Sequence, residues 1–287
     1  MSNVVGRLAP TPSGHLHLGN ALAFGAAWLS ARSVGGRLLL RFEDVDRGRA
    51  RPEVEAGQRA DLAWLGIDWD EEVSPQRDRD YRPWLQALAP TVYRCACTRA
   101  RVAAEGFRAD GGCPGGCRDT PRVGGRVRFR ISPGEVVISD RRFGTNRVDP
   151  ARLGDPVLQR EDGTFSYTLA VVADDLQDGV SEVVRGADLL EQVAVQSQVW
   201  SAFGATPPTW LHVPLVLGED GKKLSKSHGS TELRALRAAG WSATEVWRVV
   251  LPWLGLSGAD SLSSALASWQ DRGPVDAVVA PSTAPGG

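Results

Sequence analysis

The sequence predicts an α/β fold, and three features near its start indicate it. Residues Val4 to Ala9 have the pattern of a short strand, Ala21 to Arg32 that of a helix, and Gly36 to Phe42 that of a second, buried strand. Together they predict a βαβ unit whose first turn, PTPSGHLHLGN, is rich in Gly, Pro and Ser. Such a turn, at the edge of a parallel sheet and against a helix N-terminus, favours a ligand that carries phosphate.

The rest of the chain continues this pattern with one interruption. Glu53 to Leu65 is predicted as a helix, which WLGIDWDEE closes with a turn. FSYTLAVVADD and VSEVVRGADL are predicted to resume the sheet, and a long helix and LHVPLVLG follow them. After Ser230 we expect one or two helices and a disordered tail, PSTAPGG.

The interruption covers residues 91–149 and is predicted to be an inserted module. Its second half, GGRVRFRISPGEVVISDRRFG, contains two alternating runs separated by Pro-Gly, which is the pattern of a hairpin. Between Arg94 and Arg147 there are twelve arginines against five acidic residues, a net charge of +7 in a chain whose total is −1. This predicts a local anionic partner, although a solvated arginine-rich surface is an alternative.

All four cysteines lie in the same module, as Cys95-Ala-Cys97 and Cys113-Pro-Gly-Gly-Cys117. Two close pairs joined by a short loop allow four thiolates to meet at one tetrahedral zinc ion, and a zinc ion could fold a module too small to build its own core. A redox pair or free thiols are the alternatives.

The totals suit a globular protein. With 287 residues, 42% of them hydrophobic, the chain is long enough for one large domain or two modest ones. It does not start with the pattern of a signal peptide, and the longest apolar run, ALAFGAAWLSA, is shorter than the ~18 residues of a membrane helix. We therefore expect a cytoplasmic protein that does not enter a membrane.

The lysines are confined to one loop. Lys222, Lys223 and Lys226 in GKKLSKSHGS are the only lysines in the chain, whereas its other 30 basic residues are arginines. A flexible ammonium can follow phosphates as they move, which a planar guanidinium does less well. Together with His15 and His17 in HLHLGN, these lysines predict two loops that bind phosphate, one at each end of the α/β pattern.

Several motifs carry a resemblance to a known family. PTPSGHLHLGN resembles the HIGH motif, and KLSKS the KMSKS motif, of class I aminoacyl-tRNA synthetases. RLAPTPSG, RFEDVDRGR, WLGIDWDE, YRCACT, DGTFSYTLAVVADD and EVVRGADLL resemble the glutamyl subgroup in order and spacing, from about residue 5 to 230. The resemblance implies a Rossmann-like, HIGH-type nucleotide-binding catalytic domain with an inserted zinc and basic hairpin module.

The sequence departs from glutamyl-tRNA synthetases after KLSKS, where we see no room for their large helical anticodon-binding region. This shortened form resembles the glutamyl-Q tRNA(Asp) synthetase family, which activates glutamate with ATP and places it on the queuosine base in the anticodon of tRNA(Asp). The implied division is a catalytic domain in residues 1–90 and 150–230, the inserted module in 91–149, a helical region in 231–280 and a disordered tail in 281–287.

The resemblance also implies roles for individual residues. The pocket for L-glutamate would be formed by Arg7, Ala9, Thr11, Glu43, Tyr167 and Arg185. ATP would be bound by His15, His17, Gly19, Asn20, Lys223 and Lys226, with His17 and Lys226 as the catalytic residues and Mg²⁺ required by the chemistry of ATP. Zinc would be held by Cys95, Cys97, Cys113 and Cys117, where the family usually has a tyrosine at the position of Cys113.

Alternatives remain for some of these residues and for the whole protein. Glu43 could instead form an ion pair with Arg41 or Arg47, and Lys222 and Lys223 could be surface charges. The basic segment would contact the RNA backbone, and its phenylalanines, Phe107, Phe129 and Phe143, fit a core better than base stacking. We expect a monomer; the rival functions are a short glutamyl-tRNA synthetase that charges the 3′ end and a non-catalytic RNA-binding paralogue.

Overall fold

The structure, a computed structural model, describes residues 4–120, 122–218, 221–222, 224, 231–271 and 273–280. Within these ranges, no helix is both long enough and apolar enough to cross a membrane.

The chain opens with the predicted βαβ unit. Strand β1 (Val5–Leu8), helix α1 (Leu18–Ser33) and strand β2 (Arg37–Leu40) follow in order, and β1 and β2 are parallel with Val5 opposite Arg37. Gly36 makes the turn into β2 possible, because a Cβ there would lie 2.6 Å from the backbone oxygen of Val4. Helix α2 (Pro52–Trp64) follows, and the short strand β3 (Glu71–Glu72) then pairs with β2 and completes this first sheet.

A second sheet continues the first. Its order is β7 (Gly144–Val148), β6 (Val136–Asp140), β10 (Thr209–Val213), β9 (Glu182–Gly186), with β10 parallel to both β6 and β9. Strand β9 lies beside β1, since the backbone N–H of Ser181 donates to the oxygen of Val5 at 2.9 Å. The carboxyl ends of β1 and β9 therefore lie side by side.

A third, antiparallel sheet is formed by β4 (Val92–Cys95), β5 (Arg126–Phe129) and β8 (Val157–Gln159). The predicted hairpin between β5 and β6 is wrong, because β5 pairs with β4 and β8, and β6 pairs with β7. The segment that connects β5 to β6 does not form a tight turn, because its backbone is bound by side chains from distant parts of the chain. Asp155 accepts a hydrogen bond from the N–H of Ile131, and Gln198 accepts one from the N–H of Ser132. The predicted domain boundaries stay a prediction. Strand pairing crosses the boundary predicted at residue 149, because β5 pairs with β8, which follows that residue.

The segment FSYTLAVVADD is a helix, so its prediction as a strand is also wrong. Helix α5 (Tyr167–Gln177) buries every residue from Leu169 to Asp175. A short apolar run buried on all sides has the same sequence pattern in a helix and in a strand. VSEVVRGADL does form strand β9 as predicted, and α6 (Gln192–Ala202) is the expected helix after it.

The described part of the C-terminal region, residues 231–271 and 273–280, contains three short α-helices, where one or two were predicted. They are α7 (Leu233–Ala238), α8 (Ala243–Val250) and α9 (Leu262–Leu266). Gly240 and Gly255 have positive φ angles of +91° and +82° and separate the helices. In the main core, Trp247 of α8 packs against Gly25 of α1, where a Cβ would lie 2.8 Å from the indole. The predicted disordered tail, residues 281–287, lies outside the described residues.

The remaining elements are short: helices α3 (Arg82–Ala87) and α4 (Arg99–Glu105), and the parallel pair β11 (Val216–Leu217) and β12 (Val278–Val279). Because β11 precedes the lysine loop and β12 lies near the C-terminus, their pairing connects these two parts of the chain.

Candidate active site

The HLHLG turn forms the N-terminus of α1. His17 is the N-cap, and its Nδ1 accepts from the N–H of Gly19 at 3.1 Å while the Asn20 side chain accepts from the N–H of His17 at 3.0 Å. A Cβ on Gly19 would lie 3.0 Å from the imidazole, so glycine allows this cap. Sequence reasoning named His17 and Asn20 as ATP ligands and did not foresee that they cap α1, which therefore begins at Leu18 and not at Ala21.

Helix α2 fixes the other side of the same turn. The amide nitrogen of buried Gln58 donates to the backbone oxygens of Thr11 at 3.0 Å and Gly14 at 2.7 Å. His15 is half-buried and lies near α2, since a Cβ on Gly57 would be 3.9 Å from its Nδ1. Gln58 had no recognisable signal in the sequence, because a glutamine in an amphipathic helix is usually on its surface.

Lys223, Lys226 and His228 lie outside the described residues. Both flanks of their loop are described, and both lie at the start of α1. On one side a Cβ on Gly19 would be 3.8 Å from Val216, and Val216 in turn accepts from the N–H of Leu224 at 2.9 Å. On the other side Glu232 forms a β-bridge with His17. The fold thus brings the described flanks of the lysine loop to the HLHLG turn.

The predicted amino-acid pocket lies at the carboxyl ends of β1, β2 and β9. A cavity of about 250 Å³ is lined by Thr11, Glu43 and Tyr167, among others. This is below the roughly 300–1,000 Å³ of sites for drug-sized ligands and suits a small molecule. Half-buried Ala9 follows β1, while Arg7 on β1 and Arg185 on β9 do not line the cavity and lie buried behind it.

Glu43 is a buried carboxyl group close to two arginines. Burial raises its pKa to about 7, against the opposing charges of Arg41 and Arg7. Its Oε1 lies 3.5 Å from Arg41 Nη2, so the alternative ion pair with Arg41 is present. Arg41 is nevertheless bound more closely elsewhere, at 2.6 Å to Asp175 and 2.9 Å to Asp178. Within the described residues, Glu43 Oε1 accepts no hydrogen bond.

A buried charge network supports this pocket, and sequence reasoning missed it. Asp175 of α5 lies 3.6 Å from Arg7 Nε and 2.6 Å from Arg41 Nη2, so one carboxylate holds two guanidinium groups. Asp174 on the same helix and Asp178, which is its C-cap, bind Arg79 at 3.2 and 2.9 Å. The available signal was three acidic residues within the apolar segment VVADDLQD, which is unusual unless they are paired.

The four cysteines converge as predicted. Their sulfur atoms all lie within 4.8 Å of one another and all four residues are buried. The Cys97 and Cys117 sulfurs are 3.9 Å apart, and zinc–sulfur bonds of about 2.3 Å in a tetrahedron place sulfurs about 3.8 Å apart. Gly115 lets the loop approach, since a Cβ there would be 2.6 Å from Cys97 Sγ. The donor set and its spacing fit zinc.

Comparison with known proteins identifies the family. A family model described as "tRNA synthetases class I (E and Q), catalytic domain" matches residues 3–109 and 123–257. A glutamyl-Q tRNA(Asp) synthetase of Nitratidesulfovibrio vulgaris is 45% identical over 269 residues, covering 84% of this chain and 83% of that protein. The chain belongs to the glutamyl-Q tRNA(Asp) synthetase family of class I tRNA synthetases.

The chain is also similar to glutamate–tRNA ligases, as one further sequence and one solved structure show. Glutamate–tRNA ligase 2 of Cereibacter sphaeroides is 39% identical and covers 93% of this chain, which in turn covers 60% of that protein. The crystal structure of a glutamate tRNA ligase from Elizabethkingia meningosepticum, in complex with its amino acid, has a TM-score of 0.80. At 24% identity, covering 94% of this chain and 65% of that one, it shows the shared fold.

In this member of the glutamyl-Q tRNA(Asp) synthetase family, an open cavity of about 850 Å³ separates the cysteines from the pocket. Its lining contains four arginines (Arg99, Arg126, Arg128 and Arg160) and two acidic residues (Glu161 and Asp162), and it shares Tyr167 with the amino-acid cavity. Several other arginines of the basic segment are paired with acids, as Arg101 is with Glu105 at 2.7 Å.

The phenylalanines of the basic segment pack against protein, as the sequence favoured. Phe129 and Phe143 join hydrophobic clusters, and Phe107 lies under the Arg128 guanidinium at 5.6 Å.

Proposed function

We propose that the protein activates L-glutamate with ATP and transfers the glutamyl group to the queuosine base in the anticodon of tRNA(Asp). The observation that carries this proposal is the group formed by buried Arg7, Glu43 and Arg185 with half-buried Tyr167, near the turn that follows β1, in a chain of this family. Relatives named glutamyl-Q tRNA(Asp) synthetase support the choice of substrates. The protein is proposed to act as a cytoplasmic monomer.

The pocket matches the charges of glutamate. Two carboxylates call for two guanidinium groups, which Arg7 and Arg185 offer, and the ammonium group calls for one acid, which Glu43 offers. Thr11 and Tyr167 line the cavity, and Ala9 follows β1 two residues before Thr11. Arg7 Nη1 donates to the backbone oxygen of Val184 at 3.1 Å and Arg7 Nε lies 3.6 Å from Asp175, so the guanidinium is held in place behind the cavity.

ATP would lie at the N-terminus of α1. The backbone N–H groups there and the His15 and His17 side chains favour an anion, and Gly19 and Asn20 hold the turn in shape. Lys223 and Lys226 would approach the phosphates from the loop whose flanks reach the same place. Mg²⁺, when bound with ATP, would offset charge on the phosphates.

The reaction takes place in two displacements. A carboxylate oxygen of glutamate attacks the α-phosphorus of ATP, the bond to the bridging oxygen breaks, and pyrophosphate leaves with the electron pair. A hydroxyl of the modified base then attacks the carbonyl carbon of glutamyl-adenylate and loses its proton, and AMP leaves. His17 and Lys226 would stabilise the charge that develops on the phosphates in the first step.

Zinc, held by Cys95, Cys97, Cys113 and Cys117, would supply structure rather than chemistry. The arginine-lined cavity between that site and the pocket would accept the anionic RNA backbone.

Transfer to tRNA distinguishes this function from its nearest rival, charging of the tRNA 3′ end, which the likeness to glutamate–tRNA ligase 2 favours. The purified protein is incubated with labelled glutamate, ATP, Mg²⁺ and bulk tRNA from cells with or without queuosine. We expect label only on tRNA that contains queuosine, and we expect it also on such tRNA from which the 3′-terminal nucleotide has been removed enzymatically. Equal labelling of both pools that this removal abolishes would establish the rival, and no labelling would favour a binding paralogue.

Lys226→Ala tests the lysine loop. Loss of an electrostatic contact made in the transition state should lower the rate of glutamate-dependent pyrophosphate exchange by about 10²-fold or more, with an unchanged melting temperature. Lys226→Arg keeps the charge without the flexible stem and should recover only part of the rate. Full activity of Lys226→Ala would refute the assignment.

A further inference from the structure

A row of buried polar side chains crosses three neighbouring parallel strands behind the pocket. Asp140 ends β6, His212 lies on β10 and Arg185 lies on β9. In the parallel register His212 is opposite Arg185, and Trp210 is opposite Asp140. The exposed fractions of Asp140, His212 and Arg185 are 5%, 0% and 6%. Water is therefore largely excluded from the row, and its own hydrogen bonds decide which atoms carry protons.

The Asp140 carboxylate is saturated with donors. Its Oδ1 accepts from the backbone N–H groups of Arg142 at 2.9 Å and Phe143 at 2.8 Å. Its Oδ2 accepts from the backbone N–H of His212 at 3.0 Å and lies 2.7 Å from His212 Nδ1. Burial alone would raise the pKa of Asp140, but the hydrogen bonds from His212 and from the backbone lower it. An ionised carboxylate only accepts, so the proton lies on Nδ1.

The other ring nitrogen faces Arg185. Burial lowers the pKa of His212, although Asp140 opposes this, and the imidazole is neutral. With its proton on Nδ1, Nε2 is an acceptor for the Nε–H of Arg185 at 3.1 Å. Arg185 Nη2 also donates to the backbone oxygen of Leu189 at 3.0 Å, and the guanidinium lies 5.0 Å from the Trp210 ring centroid. Tyr167, which lines the pocket, interacts with the same guanidinium.

We infer that His212 is a positioning residue, fixed by Asp140 as the neutral Nδ1–H tautomer, which orients Arg185 toward a carboxylate of the bound amino acid. The inference rests on the proposed role of Arg185 in binding glutamate. The opposite tautomer would set two N–H donors against each other, and an imidazolium would place two cations in contact inside the protein. Either state would turn the guanidinium away from its present direction.

Two amide variants separate the two hydrogen bonds of His212. In His212→Asn the amide nitrogen can take the place of Nδ1 and donate to Asp140, but Arg185 loses its acceptor. In His212→Gln the longer side chain can bring its oxygen to the place of Nε2, so Arg185 keeps an acceptor while the bond to Asp140 is lost. Both replacements are neutral, polar and smaller than imidazole, which makes each the control for the other.

The measurement is the KM for glutamate and for ATP in pyrophosphate exchange, together with the melting temperature. Loss of a hydrogen bond to a charged group should raise the KM for glutamate about tenfold or more in His212→Asn, with little change in the KM for ATP. His212→Gln should raise the KM for glutamate much less, although we expect this variant to be no more stable than His212→Asn. A wild-type KM in His212→Asn, or an equal rise in both variants that follows their loss of stability, would overturn the inference.

Nitrogen-15 NMR of histidine in the wild-type protein tests the tautomer without any turnover. At pH 7.5 the His212 ring, assigned by its absence from the His212→Asn spectrum, should be neutral with its proton on Nδ1. A proton on Nε2, or on both nitrogens, would overturn the inference even if glutamate is activated. Wild-type protein that supports no exchange with glutamate would refute the proposed function, and with it the role given to Arg185.

Discussion

The amino-acid pocket and the cysteine module (β4, α4, β5 and β8 with the four cysteines) are both buried polar sites, but different forces hold them. The pocket residues stand on strands and a helix that share two large hydrophobic clusters. Among the described residues, the hydrophobic cluster around the cysteines contains Tyr93 and the cysteines, with Val102 packed against it, whereas Phe129 of β5 and Leu158 of β8 belong to the second large cluster. Helix α4, all of which is described, has no fully buried residue. A site in a packed sheet keeps its shape unaided, whereas we expect the part of the module around the cysteines, with so small a core, to depend on the proposed metal ion.

Removal of the metal ion should therefore have the largest difference in effect between the cysteine module and the amino-acid pocket. Structural zinc contributes about 10–16 kcal/mol of apparent binding free energy, so its loss should unfold the cysteine module. After chelation we expect new proteolytic cleavage between residues 95 and 125 and loss of transfer to tRNA, while glutamate-dependent pyrophosphate exchange continues. Exchange lost in parallel with the zinc would show that the pocket depends on the module. Restoring zinc should reverse the cleavage pattern.

Two aspartates provide a matched pair of smaller changes. Asp155 accepts from Tyr93 Oη at 2.7 Å, Arg118 Nε at 3.0 Å and the N–H of Ile131 at 3.0 Å, and it ties the module together. Asp175 holds Arg7 and Arg41 behind the pocket. Removing one partner of a buried ion pair costs about 3–5 kcal/mol, so Asp155→Asn and Asp175→Asn should both lower the denaturation midpoint.

The two variants should differ in function. Asp155→Asn should weaken zinc retention and tRNA transfer with a normal KM for glutamate, whereas Asp175→Asn should raise that KM because Arg7 loses its anchor. The same functional defect in both would contradict the division into two independently held sites.

The pH dependence of glutamate binding tests the pocket alone. Burial raises the pKa of Glu43 to about 7, so the carboxylate that would bind the ammonium group is lost as the pH falls below that value. The amine and carboxylates of glutamate do not titrate between pH 6 and 8, and the KM should be about tenfold higher at pH 6 than at pH 8.

The same shift of Glu43 makes the folded state bind more protons than the unfolded state, so stability without ligand should fall as the pH rises from about 4.5 to 7. Glu43→Gln should have a raised KM that no longer changes over pH 6–8. An equally steep profile in this variant would assign the titration to another group.

The smallest effect is expected on the surface of the module. Glu105 pairs with Arg101 one helical turn away at 2.7 Å, and both side chains are about half exposed. Because water and salt screen such pairs, Glu105→Gln should change neither the melting temperature nor zinc retention by a measurable amount. Loss of zinc from this variant would mean that surface charge, and not the thiolates, holds the module.

The sequence predicted the parts of this molecule that local pattern determines. The βαβ unit, the converging cysteines and strand β9 are confirmed, since periodicity, turn residues and cysteine spacing act over short distances. The hairpin was predicted wrongly because alternation identifies a strand but not its partner, and β6 found β7 and β10 instead of β5. Helix α5 was missed because burial on all sides removes the periodicity that distinguishes a helix.

The roles of the predicted pocket residues Arg7, Glu43, Tyr167 and Arg185 stay a prediction. Motifs in the sequence name these residues, and the fold places Glu43 and Tyr167 in the lining of one cavity while Arg7 and Arg185 lie buried outside that lining. Their supports come from distant parts of the chain, as with Asp140, which lies 72 residues before His212. The spacing of residues in the sequence does not predict such a contact, because the contact depends on which strands become neighbours in the sheet.

The path of the chain between its sheets limits how this protein can be taken apart or recombined. After β5 the chain leaves the cysteine module to build β6 and β7 beside β10, and it returns to add β8 to β5 before entering α5. The module therefore consists of two separate stretches of sequence that enclose part of the catalytic sheet. A fragment of residues 91–149 would leave one edge of β5 open and deprive β6 of β10, and a single exchange between homologous genes could not transfer the module without also replacing β6 and β7 of the catalytic sheet.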